Sequence, residues 1–215
     1  MNGGQTAPGL DLEPNSKPYL LKRLISDGFD VFLIFVIFTA AAWALFSSPA
    51  AAAYNSHREA YLKIAEETRA EFGSDEAAAA DALRGNALYR DEFFAADLHS
   101  YLLKAAAALP AEIIVLLVFP LAFKDRATPG KLMTGLMPFC ERKQTRATRG
   151  QVFGRFLFIF VIDSLFLYLF TGRYTFLLVP VLRLCEMLLN RKNRTLADAL
   201  SGVTVIEKKS YNGID

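Results

Sequence analysis

An apolar run that directly follows three charged residues constrains this chain more than any other feature. Residues 20–38 read LLKRLISDGFDVFLIFVIF, in which Arg23, Asp27 and Asp30 precede an uninterrupted apolar segment. Separations of four and seven residues from Arg23 put the three charges on one stripe of a helix. A carboxylate carried into a bilayer costs about 2.5–3.5 kcal/mol at a helix centre and less near the interface. Asp30 therefore needs a partner, and Asp27 is interpreted as the interfacial member of the stripe.

The composition is typical of a membrane protein. Hydrophobic residues make up 53% of the 215 positions, more than the ~45–50% of ordinary soluble domains. A net charge of +2 is too small to indicate a nucleic-acid partner. Residues 1–19 are polar and lack a basic start followed by a short apolar core, so we expect a flexible N-terminal tail and not a cleaved signal peptide.

Four apolar segments predict an all-α, multi-pass membrane fold, because a helix of about 20 residues spans a bilayer. The predicted spans are residues 29–46, 102–123, 152–170 and 176–189. Between the first two lies an acidic stretch with helical periodicity, residues 50–101, which is predicted to be an extracytoplasmic helical insertion. The membrane domain as a whole is placed at residues 20–207, and residues 208–215 form a C-terminal tail.

The basic residues predict how the spans are oriented. Lys and Arg dominate residues 124–151, and they recur in the flank at Arg191, Lys192 and Arg194. Short basic loops stay on the cytoplasmic side. Four spans place both regions on the same side as Lys17, Lys22 and Arg23, so both termini are expected in the cytoplasm.

Ionisable residues recur within the later apolar segments, where each adds an insertion cost. The set comprises Asp163, Glu112, Glu186 and Arg183. One interpretation is a proton or cation relay, because buried carboxylates with shifted pKa values exchange protons near neutral pH. The other is that these residues are ion pairs that lock the helices together. The residues alone leave both interpretations open.

No pattern in the chain nominates an enzyme. The segment ATPGKLMTG, residues 127–135, lacks the Walker order, because Leu132 follows Lys131 where Ser or Thr is required. It is interpreted as a helix or turn at the inner interface. His57 and His99 are more simply explained as lone surface histidines than as metal ligands. We therefore predict no catalytic residue, no metal site and no cofactor.

Three separated stretches together resemble the RDD family of bacterial multi-pass membrane proteins, named for one arginine and two aspartates. They are KRLISDGFDVFLI, ATPGKLMTGLMPF and NRKNRTLADALSGVTVIE. The residues that match the family triad are Arg23, Asp30 and Asp198. The residues that match its middle motif are Thr128, Gly130, Lys131 and Gly135. The closing VTVIE segment is also a candidate strand partner for residues 136–140.

The resemblance implies a location in the bacterial inner membrane and, for some members, sodium/proton exchange. We therefore expect cation/proton exchange or other ion-coupled transport, with the lipid bilayer, protons and monovalent cations as partners. A homo-oligomer or a membrane partner protein is expected to complete the transport path. The alternative is a non-transporting scaffold or accessory subunit that binds its partner through the acidic insertion. The family triad is expected to form one cluster, in which residue 198 is the decisive partner of Asp30.

Overall fold

The computed structural model describes residues 17–140, 142–143, 145–161, 185–189 and 194–208. The chain divides into two compact units. The first unit comprises Met1–Phe35 and Glu112–Asp215, and the second comprises Val36–Ala111.

The first helix, α1 (Lys17–Phe46), runs through the charged stripe and the apolar run without a break. The sequence placed the start of the span at residue 29, but no residue between 17 and 28 interrupts the helix. Large apolar side chains such as Phe32, Phe35 and Trp43 are exposed along α1. Only 11% of its most apolar window is buried, so α1 does not resemble the core helix of a soluble protein. It ends before Ser48, whose side chain caps the short 3-10 turn Pro49–Ala51.

The second unit consists of helices, as predicted for residues 50–101. Its elements are α2 (Ala52–Phe72), α3 (Glu76–Gly85) and most of α4 (Ala87–Ile113). Gly73 ends α2 with a φ of 57°, a conformation that favours glycine. Tyr61 packs edge-on against Tyr89 and Phe93 of α4, which joins α2 and α4 through aromatic contacts. The prediction that this insertion is helical is therefore confirmed.

A second long helix contains the predicted span 102–123. Helix α4 continues through a π-helical turn, Ile114–Val118, into α5 (Phe119–Ala122). The turn accommodates Pro120, which has no N–H to give to the preceding turn. Tyr19–Phe46 and Ala87–Ala122 are, within the described ranges, the two helices long and apolar enough to cross a membrane.

The other two predicted spans are described incompletely. Helix α7 (Arg149–Ile159) covers the start of the third, and residues 185–189 are helical at the end of the fourth. The remainder of both spans lies outside the described residues.

A small antiparallel sheet corrects the all-α prediction: the described chain is mostly helical, with a sheet added. The strands are β1 (Leu136–Cys140), β2 (Thr145–Arg146) and β3 (Thr204–Glu207), in the order β2-β1-β3. The pairing of β1 with β3 predicted from the VTVIE segment is confirmed, with Pro138 opposite Val205. The all-α prediction failed because these short segments bury their apolar side chains against α1 and each other, as in the cluster Tyr19, Leu136 and Val205.

Two short helices flank the sheet within the first unit. Helix α6 (Pro129–Thr134) leads directly into β1, and α8 (Leu196–Leu200) is followed by β3. The sheet therefore fixes the ends of α6 and α8 close to each other. Each of these helices contributes a charged residue to the site described next.

Candidate buried charge site

One face of α1 buries polar and charged side chains inside the first unit. Arg23, Ser26, Asp27 and Asp30 are all almost completely inaccessible to solvent. They recur at three- and four-residue spacing, so they share one helical stripe, as the sequence predicted. Buried charges require partners, and the partners come from α6, α7 and α8.

Asp198 of α8 is fully buried and accepts a hydrogen bond from each of two arginines. Arg23 Nη2 lies 2.6 Å from Asp198 Oδ2, and Arg155 Nε of α7 lies 2.6 Å from Asp198 Oδ1. The hydroxyl of Thr195 caps the first turn of α8 by accepting from the Asp198 backbone N–H. Burial alone would raise the pKa of Asp198, but the charges of Arg155 and Arg23 outweigh it and hold that pKa well below its ordinary value.

Asp30 is bound by the start of α6 and not by Asp198. The Gly130 backbone N–H donates to Asp30 Oδ1 at 2.7 Å, and the Thr128 hydroxyl donates to Asp30 Oδ2. The expectation that residue 198 is the partner of Asp30 was wrong, because Asp198 is already saturated by two guanidinium groups. Arg23 and Asp198 therefore pair directly, whereas Asp30 pairs with Thr128 and Gly130.

Lys131 occupies the space between the two carboxylates of α1. Its Nζ lies 3.0 Å from Asp27 Oδ1 and 3.8 Å from Asp30 Oδ2, and the residue is only 2% exposed. Burial lowers the pKa of the Lys131 ammonium below its ordinary value, and the carboxylate of Asp27 opposes that shift. The same ion pair buries Asp27, which is 3% exposed; its interpretation as the member at the membrane interface stays a prediction.

The close packing of α6 on α1 requires a glycine at position 130. A Cβ atom at position 130 would lie 2.0 Å from the backbone oxygen of Ser26, so only glycine allows α6 to approach α1 this closely. Gly135 ends α6 in the left-handed conformation at a φ of 70°, where glycine carries no steric cost. The segment therefore packs closely on α1 at Gly130, whereas a Cβ at position 135 would meet nothing within 4 Å.

The resulting cluster is electrically balanced but divided into an arginine half and a lysine half. In the arginine half, two guanidinium groups surround Asp198, and in the lysine half, two carboxylates surround Lys131. The arginine half therefore has a net charge of plus one, and the lysine half has a net charge of minus one. Sequence reasoning missed Arg155 as a site residue, although a cation in an otherwise apolar span was a visible signal.

Two of the four predicted relay residues lie within the described ranges. Glu112 is buried in the first unit and has an interaction partner. Glu186 accepts a hydrogen bond from the Leu196 backbone N–H at 3.1 Å, so it caps the start of α8. Asp163 and Arg183 lie outside the described residues.

The histidines of the second unit form a local pair. His57 Nδ1 lies 2.7 Å from Glu92 Oε2, and its ring stacks on that of His99. Across the described ranges, no group of three or more His, Cys, Asp or Glu side chains is arranged to hold a metal ion.

Comparisons of the chain with protein-family models, curated proteins and solved structures give no match.

Proposed function

We propose that this protein is a multi-pass protein of RDD type in the bacterial inner membrane, and that it exchanges protons for monovalent cations. The observation that carries the proposal is the Lys131 ammonium, buried between the carboxylates of Asp27 and Asp30. The exchange site is this trio, and the pair of arginines on Asp198 holds the surrounding helices in place. The proposal includes four spans with both termini in the cytoplasm.

The exposure of α1 supports a membrane location. Its apolar side chains are mostly uncovered, and lipid is the environment in which such a surface is stable. A cleaved signal sequence is also apolar and N-terminal. Removing α1, however, would take away Arg23, Asp27 and Asp30, and would leave Lys131 buried without its carboxylates and Asp198 without Arg23. Helix α1 is therefore proposed to stay in the mature protein as the first span.

The chemistry of exchange follows from charge balance within the trio. With its proton, Lys131 neutralises one of the two negative charges of Asp27 and Asp30. When the proton leaves, a monovalent cation can bind to the same carboxylates and restore the same net charge. Burial, which makes the ammonium easier to deprotonate, favours this competition. The Thr128 hydroxyl, 3.4 Å from Lys131 Nζ, supplies a further oxygen beside the cation.

Reconstituted vesicles test this proposal directly. Na⁺ or Li⁺ is added to vesicles that contain the wild-type protein and a pH-sensitive dye. The dye is expected to report proton movement driven by the added cation. Asp27→Asn and Lys131→Gln are expected to abolish the dye response. The matched control is Asp81→Asn, an exposed carboxylate of α3, which should leave the response unchanged. A flat trace from folded wild-type protein at several pH values would rule out exchange.

The alternative function, a scaffold or accessory subunit, is favoured by one feature of the second unit. Three exposed apolar side chains recur along α4, namely Leu88, Phe94 and Leu98. At 100° per residue they fall on one side of the helix, so they form a surface suited to another protein. If a membrane partner co-purifies with the full chain but not after deletion of residues 55–98, and the vesicle trace is flat, the scaffold role replaces exchange.

A further inference from the structure

A small cavity in the first unit lies beside the arginine half of the charge cluster. It is walled mainly by apolar side chains, among them Leu116, Pro120, Val152, Phe156, Ile159 and Val203. Arg126, Thr128 and Arg155 also line it. Of this lining, the cation exchange proposed above uses Thr128 alone, so Arg126 and the terminal nitrogens of Arg155 require a separate explanation.

Arg155 brings unused hydrogen-bond donors to the cavity. Its Nε donates to Asp198, and within the described residues its two terminal nitrogens make no further hydrogen bond to protein. Asp198 is shared with Arg23, so two guanidinium groups face a single carboxylate. The arginine half of the cluster therefore has a net charge of plus one.

Arg126, in the segment between α5 and α6, adds a second positive charge. Among the described residues, no carboxylate lies within ion-pair distance of it. The neighbouring Asp125 is engaged by Lys208 at 2.7 Å and by Arg146 at 3.9 Å. One terminal nitrogen of Arg126 donates to the Leu121 carbonyl at the end of α5, which fixes the guanidinium and leaves its other donors available.

The backbone of Arg126 is held in an unusual conformation. Its φ of 54° is the one positive value at a non-glycine residue in the described ranges. Such a conformation costs on the order of 1 kcal/mol or more, and it is most often kept where it positions a functional side chain. Here it holds the side chain at the edge of the cavity.

We infer that the cavity is an oxyanion site that takes an oxygen of a phosphate group. It has room for about one water-sized group, so one anionic oxygen enters and the rest of the group stays at the mouth. Guanidinium groups bind phosphate oxygens through charge-assisted hydrogen bonds, and the apolar walls strengthen them by excluding water. Two guanidinium groups line the same cavity, and their charge matches that of a phosphate better than that of a single carboxylate.

The phosphate can come from a lipid headgroup or from free phosphate, and position favours the lipid. Arg126 and Arg155 each lie three residues from the cytoplasmic end of a proposed span, residues 102–123 and 152–170. Lipid phosphates lie at this depth, and basic pockets between helices bind them. Only this preference rests on the proposed membrane topology; binding of the oxyanion itself does not.

The test uses the purified full chain in neutral detergent, titrated separately with dioctanoyl phosphatidylglycerol, inorganic phosphate and dioctanoylglycerol. The phosphatidylglycerol is expected to bind wild-type protein, and dioctanoylglycerol, which lacks the phosphate, is not. Binding of inorganic phosphate as well would identify free phosphate as a source; failure of both phosphate probes to bind overturns the inference.

Arg126→Asn assigns the binding to this cavity, because asparagine tolerates the left-handed conformation but has no guanidinium. It should weaken phosphate binding at least tenfold and keep the unfolding temperature of the probe-free protein. The control Arg149→Asn removes an exposed arginine from the start of α7 and should leave binding unchanged. A loss smaller than tenfold in Arg126→Asn overturns the assignment.

A measurement on wild-type protein keeps the inference testable if the Arg126 variant does not fold. The phosphate probe that binds should slow hydrogen exchange in residues 121–130, and absence of that protection overturns the site. Neither result depends on Na⁺ or on dye-loaded vesicles, so failure of the exchange proposal and failure of the oxyanion site are distinguishable.

Discussion

The two units use the same kinds of ion pair in opposite environments. In the first unit, the side chains of Arg23 and Asp198 are 1% and 0% exposed. In the second, those of Arg84 and Asp81 are 81% and 76% exposed. The buried partners are 175 residues apart in the chain and the exposed ones three. The buried pair therefore holds distant parts of the chain together, whereas the exposed pair lies along a single helix.

This difference determines what each pair contributes to stability. An exposed pair is screened by water and typically contributes about 0–1 kcal/mol. Removing one member of a buried pair leaves an uncompensated charge and costs about 3–5 kcal/mol. The comparison therefore predicts large effects in the first unit and small ones in the second.

The largest effect is expected from Asp198→Asn. The amide keeps the shape of the side chain but leaves Arg23 and Arg155 buried without a carboxylate between them. The free energy of unfolding should fall by about 3–5 kcal/mol, measured by denaturant unfolding in detergent. Asp81→Asn, the exposed counterpart, should change it by less than about 0.5 kcal/mol. Similar decreases in the free energy of unfolding in the two variants would contradict the expected difference between buried and exposed ion pairs.

Gly130→Ala tests the close approach on which the buried cluster depends. The new methyl group would lie 2.0 Å from the Ser26 backbone oxygen, so α6 must move away from α1. Overpacking of this kind costs about 1–3 kcal/mol, and it should also lengthen the contacts of Lys131 with the carboxylates. Na⁺ bound by these carboxylates should raise the unfolding temperature of wild-type protein, and Gly130→Ala should lose this increase.

Gly154→Ala is the matched control for this substitution. A Cβ atom there meets nothing within 4 Å, and alanine is favoured over glycine in a helix by about 0.5–1 kcal/mol. The control should be neutral or stabilising. A destabilised Gly154→Ala with an unaffected Gly130→Ala would contradict the packing of α6 on α1.

Sequence reasoning recovered the features of the site that depend on local geometry. The stripe on α1 follows from helical periodicity, and the helix at residues 129–134 follows from Thr128, Pro129 and the flanking glycines. The pairing of the segments that form β1 and β3 was also predicted, because both are short, apolar and bounded by turn residues. The first two inferences need only neighbours along the chain, whereas the strand pairing joins segments as distant as Leu136 and Glu207.

The partners across the site could not be obtained in the same way. A stripe gives the direction in which charges point, but it does not identify the element that they meet. Asp30 faces α6 and Asp27 faces Lys131 at a separation of 104 residues, and no local pattern selects these pairs over others. Arg155 was overlooked for the same reason, since nothing near it in the sequence indicates that it faces Asp198.

The pH dependence of stability tests whether Asp198 is ionised in the folded protein. Its folded-state pKa is lowered from the ordinary value of 3.8, so its contribution is fully present above pH 3.8 and is lost as the pH falls below it. The unfolded chain takes up the proton first, which lowers the free energy of unfolding by about 1.4 kcal/mol per pH unit. Other acids titrate in the same range, so the difference between wild type and Asp198→Asn is the quantity to measure. It should narrow as the pH falls from about 4 to about 2, and a constant difference would mean that the carboxyl is not held ionised.

The smallest effect is expected for an exposed pair along a helix of the second unit. Lys63 and Glu67 of α2 are four residues apart, with 4.0 Å between Nζ and Oε1. A double-mutant cycle on this pair should give a coupling of about 0.3–0.5 kcal/mol, and salt should weaken it because solvent ions screen exposed charges. The Arg23–Asp198 cycle, shielded from those ions, should give a several-fold larger coupling that salt leaves almost unchanged. If salt weakens both couplings to the same extent, then water reaches the Arg23–Asp198 pair, and the contrast between a buried lock and a solvated surface does not hold.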